Sequence, residues 1–127
     1  MKRCIDNLQI WQFSRALVNR IYEITAISKD YGFNDQIQRA AISIMNNIAE
    51  GHDSGSDSKF IYYLNVSRGS CSEVNSMLYL CEDFKYCSSE ERIEIQYQVK
   101  QISTGIKRLI DSLQKITCSL VVSWSCS

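Results

Sequence analysis

Ile95, Val99, Ile102, Ile106, Leu109, Leu113, Ile116 and Leu120 follow one another at alternating steps of four and three without a miss. This spacing returns each side chain to the same face of a helix. It excludes a strand, whose faces alternate every second residue. A stripe of this length is a bundle or coiled-coil seam. Such a stripe is covered by other helices. Ser88, with Glu91 three residues on, reads as a capping box at the start. The spacing therefore predicts a helix over about residues 89–120. Residues 121–127 carry Val121, Val122 and Trp124 without a clear period, and their conformation is left open.

Three further segments carry partner stripes. The first is predicted over about residues 8–29, with Ile10, Phe13, Leu17, Ile21 and Ile24 on one face. Trp11, Val18 and Tyr22 widen that face, and Asp6 or Asn7 can cap its start. Gly32 then reads as a helix stop, with Asn34 or Asp35 as the next cap. The second helix, about 35–51, has the seam Ile37, Ala41, Ile44 and Ile48, and Gly51 as its end. Beside that seam runs a polar stripe of Arg39, Ser43, Asn46 and Glu50. The third helix, about 57–84, starts at Ser56 or Asp57 and has the seam Phe60, Leu64, Ser67, Cys71, Val74, Leu78 and Cys81.

Proline, which breaks helix interiors, is absent from all 127 residues. Short loops make successive helices antiparallel. The expected fold is all-α: one domain over residues 1–127, an antiparallel up-down-up-down four-helix bundle.

Charge and cysteine usage narrow the function classes. Lys+Arg and Asp+Glu both number 14, so the net charge is zero. A nonspecific nucleic-acid binder draws most of its affinity from phosphate neutralisation, and this chain has no basic excess for that. Neutrality also leaves self-association unopposed. The cysteines form no C-x-x-C pair, and the opening residues lack a continuous apolar stretch of the secretory type. The expectation is a cytoplasmic protein with free thiols packed as small apolar residues. No run approaches the length of a membrane span.

No catalytic constellation emerges. His52 is the only histidine and reads as an exposed turn residue. Cys71 falls on the third seam and reads as core. Cys87 lies near a helix N-terminus, where a thiolate is favoured, and is the one hint of a reactive thiol. Glu-x-x-His pairs and glycine-rich phosphate loops are absent. The expectation is therefore no catalysis, no metal, no cofactor and no small-molecule substrate.

Other residues suggest contacts. Arg39 falls within reach of Glu73, either across the second and third helices or between subunits; two solvated charges are the alternative. Gly69 sits mid-helix, which implies close backbone approach or a kink, with tight helix packing favoured over ligand access. Tyr62, Tyr63, Tyr79 and Tyr97 suit protein contacts better than base stacking, because no basic run surrounds them.

The segment QIQRAAISIMNNIAEG (residues 36–51) resembles the hallmark of the four-helix bundle proteins, the S23 or 23S rRNA intervening-sequence protein family. KFIYYLNVSRGSCSEVNSMLYL (59–80) is similar to the second hallmark, an aromatic stretch leading to Gly69, Ser70 and Glu73. LQIWQFSRALVNRIYEIT resembles the family's opening. The resemblance covers about residues 8–116 and implies an antiparallel bundle that assembles into a homopentamer. It assigns structural and interface roles to Arg39, Asn47, Glu50, Gly51, Arg68, Gly69 and Glu73. Some family members are encoded within insertions of bacterial 23S rRNA genes, which the resemblance offers as a reason to consider RNA as an alternative partner. Arg15, Arg20, Lys107 and Arg108 are the candidate phosphate contacts. Many members carry arginines just after the Glu-Gly pair, where this chain has Ser54 and Gly55.

Overall fold

The computed structural model describes Ile5 and residues 8–125, with side chains through Lys115. It contains α1 (Gln9–Thr25), α2 (Tyr31–Asp53), α3 (Asp57–Asp83) and α4 (Ser89–Ser125). Both α1 and α3 pack against α2 and α4, so the helices form a square in chain order. Ser67 on α3 bonds to Ile44 on α2, while Phe60 faces Gly51, so this pair runs antiparallel. Arg20 meets Glu91, and Ile10 meets Gly105, so α1 and α4 do the same. The fold is an antiparallel four-helix bundle.

The seams supply the core. Leu17 and Ile21 from α1 and Ile37, Ala41, Ile44 and Ile48 from α2 are fully buried. They meet Leu64, Val74 and Leu78 from α3 and Ile95, Ile102 and Ile106 from α4, also fully buried. Each large apolar side chain contributes about 1.5–3 kcal/mol of gross transfer free energy. Near its middle the α4 stripe turns: Ile110 is buried, whereas Leu109 and Leu113 are only partly covered. A straight helix drifts relative to a seven-residue repeat, which carries the buried edge from Ile106 to Ile110. Ile116 and Leu120 lie outside the described side chains. The α4 backbone continues helical to Ser125.

Several helix ends differ from the sequence expectation. Asp6 and Asn7 lie outside the described residues, and α1 begins after Leu8 with no side-chain cap. It stops at Thr25 rather than about 29. The cap of α2 is Asp30, whose carboxylate accepts from the Phe33 N–H at 3.1 Å. Gly32 therefore sits in the first turn of α2 and stops nothing. Asn34 is buried and donates to the Ser28 carbonyl at 3.1 Å, which ties the loop to the helix. Gly51 is also no terminus, since α2 continues to Asp53. The turn that follows uses Gly55, at φ +80°. Ser56 caps α3 by accepting from Lys59 N–H at 3.2 Å.

The end of α3 is a left-handed cap. Tyr86 N–H reaches back to the Cys81 carbonyl at 2.8 Å, and Lys85 N–H to Glu82 at 3.0 Å. This is the Schellman pattern, and its left-handed position is held by Lys85 at φ 65° instead of a glycine. The Ser88–Glu91 capping box forms in both directions, each bond 3.1 Å.

Candidate interaction surface

The motif residues of α2 and α3 first serve the packing between those helices. Ser67 is fully buried and donates to the Ile44 carbonyl at 2.9 Å. Ser70 donates to Ser43 Oγ at 3.0 Å, and Asn47 donates to Ser43 Oγ at 3.0 Å and to its carbonyl at 2.8 Å. A ladder of short polar side chains thus satisfies itself along the seam, as buried polar groups must. Gly51 closes the hairpin end. A Cβ there would lie 2.8 Å from Phe60 Cδ1 and 3.0 Å from Tyr63 Cβ. Only glycine lets α3 approach this closely.

The Arg39–Glu73 pair does not form within the chain. Arg39 Nε donates to the Asp35 carboxylate at 2.9 Å, one turn earlier on its own helix. Glu73 instead accepts from Gln36 Nε2 at 3.5 Å. An i,i+4 partner on the same rigid helix needs no reach across the bundle, so it wins.

Gly69 also differs from expectation. A Cβ placed on it would meet nothing within 4 Å. Among the described residues, no helix packs tightly there. Gly69 instead lines an open groove between α3 and α4, with Asn65, Arg68, Ile93, Tyr97 and Lys100. A second groove, between α1 and α4, adjoins it and shares Tyr97 and Lys100, adding Gln101, Thr104 and Arg108. Among the described residues, no carboxylate lines either one. A third groove lies at the α2–α3 hairpin end and is lined by Asn46, Glu50, Asp53, Lys59, Tyr62 and Tyr63. Its carboxylates outnumber its single cation. Tyr62, Ile93 and Tyr97, at 64%, 59% and 63% exposure, stand at these grooves.

Of the residues singled out as phosphate contacts, Arg108 lines a basic groove and Lys107 is exposed next to it on α4. Arg15 lies 6.0 Å over the Trp11 ring. Arg20 is taken out of the set, because it bonds Glu23 and Glu91 at 3.0 Å each and ties α1 to α4. The Ser88 backbone N–H, followed by Arg20, holds the Glu91 carboxyl below its ordinary value. Lys100, shared by both basic grooves, escaped the sequence reading because an isolated lysine on a polar face carries no signal.

The candidate reactive groups are quiet. Cys71 and Cys81 are buried, and desolvation pushes both thiols up to about 12. Cys87 is buried as well and is shifted upward, by burial first and then by Glu91 and Glu82. Its place before α4 does not make it a thiolate. His52 lies in the last turn of α2 rather than in an exposed turn. Its side chain is 17% exposed, edge-on to Phe60 and 3.2 Å from Asp53. Among the described residues, no three His, Cys, Asp or Glu side chains gather as a metal site.

The model of the 23S rRNA-intervening sequence protein family matches residues 6–108 of this chain. The chain belongs to that family. The match covers α1 to α3 and α4 as far as Arg108, beyond which α4 runs on to Ser125. A crystal structure from Bacteroides thetaiotaomicron VPI-5482 has the same fold, with a TM-score of 0.70 at 23% identity. It covers 84% of this chain and 98% of its own, and is a protein of unknown function from the S23 ribosomal protein family. A comparison with curated proteins finds no match. No helix among the described residues is long and apolar enough to cross a membrane.

Proposed function

We propose that this protein is a non-catalytic interaction module that works as a homo-oligomer in the cytoplasm, a ring of five as the family resemblance implies. The observation that carries this reading is the division of labour along α2 and α3. The motif residues Ser67, Ser70, Asn47 and Gly51 are used in packing. What remains outward is a set of open grooves with Tyr62, Ile93 and Tyr97 exposed at them. Tyrosines flanked by amides and scattered charges are the composition of a protein contact. The buried thiols of Cys71, Cys81 and Cys87 suit a reducing compartment. Sedimentation or light scattering tests the reading. A mass several times the 14.6 kDa of one chain supports it, and a single-chain mass at high concentration overturns it.

A second reading, an RNA-binding accessory protein, is favoured by one observation: Arg68, Lys100 and Arg108 line grooves that no carboxylate enters among the described residues. Anisotropy of a labelled 23S rRNA fragment against a scrambled control, at low and moderate salt, tests it. Binding to the fragment alone that survives salt supports this reading. Equal binding that salt abolishes is the nonspecific electrostatic term and counts against it.

A further inference from the structure

We infer that two copies of this chain meet head to tail, the acidic α2–α3 groove of one copy seated on the basic α3–α4 face of the next. The inference rests on the homo-oligomer reading and names the two surfaces that would build it.

Three observations lead there. The first is the segregation of charge in a chain whose net charge is zero. Glu50 and Asp53 line one groove with Lys59 as the only cation among the described residues. Arg68, Lys100 and Arg108 line the α4 grooves, with no carboxylate among the described residues there. Asp111 lies one turn past Lys107 and Arg108, outside that lining. None of Glu50, Arg68, Lys100 or Arg108 has an ion-pair partner within the chain among the described salt bridges. Charges of opposite sign on separate faces of one molecule are complementary only between copies.

The second observation is Gly69. Glycine in a helix interior costs about 0.5–1 kcal/mol relative to alanine. The Cβ space at Gly69 is empty within the chain, so nothing internal explains the residue. Its bare backbone floors the basic groove, which lets an incoming side chain settle close to α3. The third observation is the matching apolar content. Tyr62 projects from the acidic groove, and Ile93 and Tyr97 project beside the basic one. Tyrosine supplies contact area to an interface while keeping a polar tip.

The two faces flank α3 on neighbouring sides of the bundle. In the head-to-tail arrangement the acidic groove of one copy takes the basic face of a second and leaves its own basic face for a third. That contact propagates from copy to copy, as a ring requires.

Charge reversal tests the assignment on the full chain. One variant carries Arg68→Glu with Lys100→Glu, a second carries Glu50→Lys with Asp53→Lys, and a third combines all four. All four positions are exposed, and circular dichroism checks that each variant is folded. Mass is read by light scattering over a concentration series at moderate salt. The expected result is association weakened at least about tenfold in each single-face variant and restored in the combined one, where the charges again oppose. Wild-type mass in the single-face variants overturns the inference, and so does failure of the combined variant to reassemble. A wild-type chain that is itself a monomer removes the oligomer reading and this inference with it. That outcome is separate from an assembled wild type whose reversals have no effect. If reversal of the basic face abolishes binding of a labelled RNA while the mass is unchanged, the face serves nucleic acid and the inference is wrong.

Discussion

Gly51 and Gly69 predict opposite outcomes for the same substitution. Replacing Gly51 by alanine puts a Cβ 2.8 Å from Phe60 Cδ1, 3.0 Å from Tyr63 Cβ and 3.3 Å from the Phe60 carbonyl oxygen. The Phe60 ring can rotate, but the Tyr63 Cβ and the Phe60 carbonyl move only if the first turns of α3 move. Overpacking of this kind costs about 1–3 kcal/mol. Alanine's better helix propensity returns at most ~1 kcal/mol, and less here because Gly51 is in the last turn of α2. The net loss is about 1–2 kcal/mol. At Gly69 the added Cβ meets nothing within 4 Å, so the propensity gain stands alone. Gly69→Ala should stabilise the fold by about 0.5–1 kcal/mol. Urea unfolding followed by circular dichroism, at a chain concentration low enough that the copies are dissociated, measures both. With an m-value of about 1–3 kcal/mol/M, the Gly51→Ala midpoint should fall by roughly 1 M and the Gly69→Ala midpoint should rise by a few tenths. A Gly51→Ala protein as stable as the parent would refute the close-approach argument. A destabilised Gly69→Ala protein would show that the α3–α4 groove is not open.

Other consequences are as direct. Lys85 holds a left-handed conformation at φ 65°, so Lys85→Gly should raise stability by about 1 kcal/mol, and a lowered midpoint would count against the Schellman cap. Glu91 titrates below the ordinary glutamate value of 4.5 because it accepts from the Ser88 N–H and from Arg20. Its folded pKa is depressed, so its contribution is complete above pH 4.5 and is lost as pH falls through the lowered value. Glu91→Gln should therefore flatten the loss of stability below that pH, and an acid limb identical to the parent's would contradict the capping-box role. Cys71 and Cys81, with thiols pushed up to about 12, should resist iodoacetamide in the folded protein at neutral pH and react once it is unfolded. Site-resolved mass spectrometry checks this, and rapid native labelling of either would mean that the core opens.

The parts legible in the sequence are those set by period. Ile37, Ala41, Ile44 and Ile48 read as a seam and are fully buried, because a helical stripe needs no knowledge of its partner. The α1–α2 boundary was not legible. Between Lys29 and Asp35, several polar residues could each cap a helix. The choice falls on Asp30, and Phe33 in the turn it caps packs at 5.6 Å from Phe84 and 5.8 Å from Tyr86. That contact joins residues some fifty positions apart, so no local pattern reports it. The glycines make the same point. Gly69 reads in the sequence as a packing residue and is open; Gly51 reads as a helix end and is a site of close helix approach. What distinguishes them is Phe60 and Tyr63 arriving from the next helix.

This separation bears on function. Within the hallmark-like segment of residues 36–51, the motif Asn47 to Gly51 contributes an intrahelical hydrogen bond and a close helix approach. A motif made of packing devices specifies a bundle and is compatible with many surfaces. Glu50 is its exception, exposed within the motif and facing the acidic groove. The residues that decide what the bundle meets lie largely elsewhere, in the outward positions of α3 and α4 such as Arg68, Tyr97 and Lys100. These side chains are not needed to close the core, so they can change without unfolding the protein. A substitution that alters assembly or RNA binding while leaving the unfolding midpoint unchanged should therefore map to this outward set. One that alters both should map to the α2–α3 ladder.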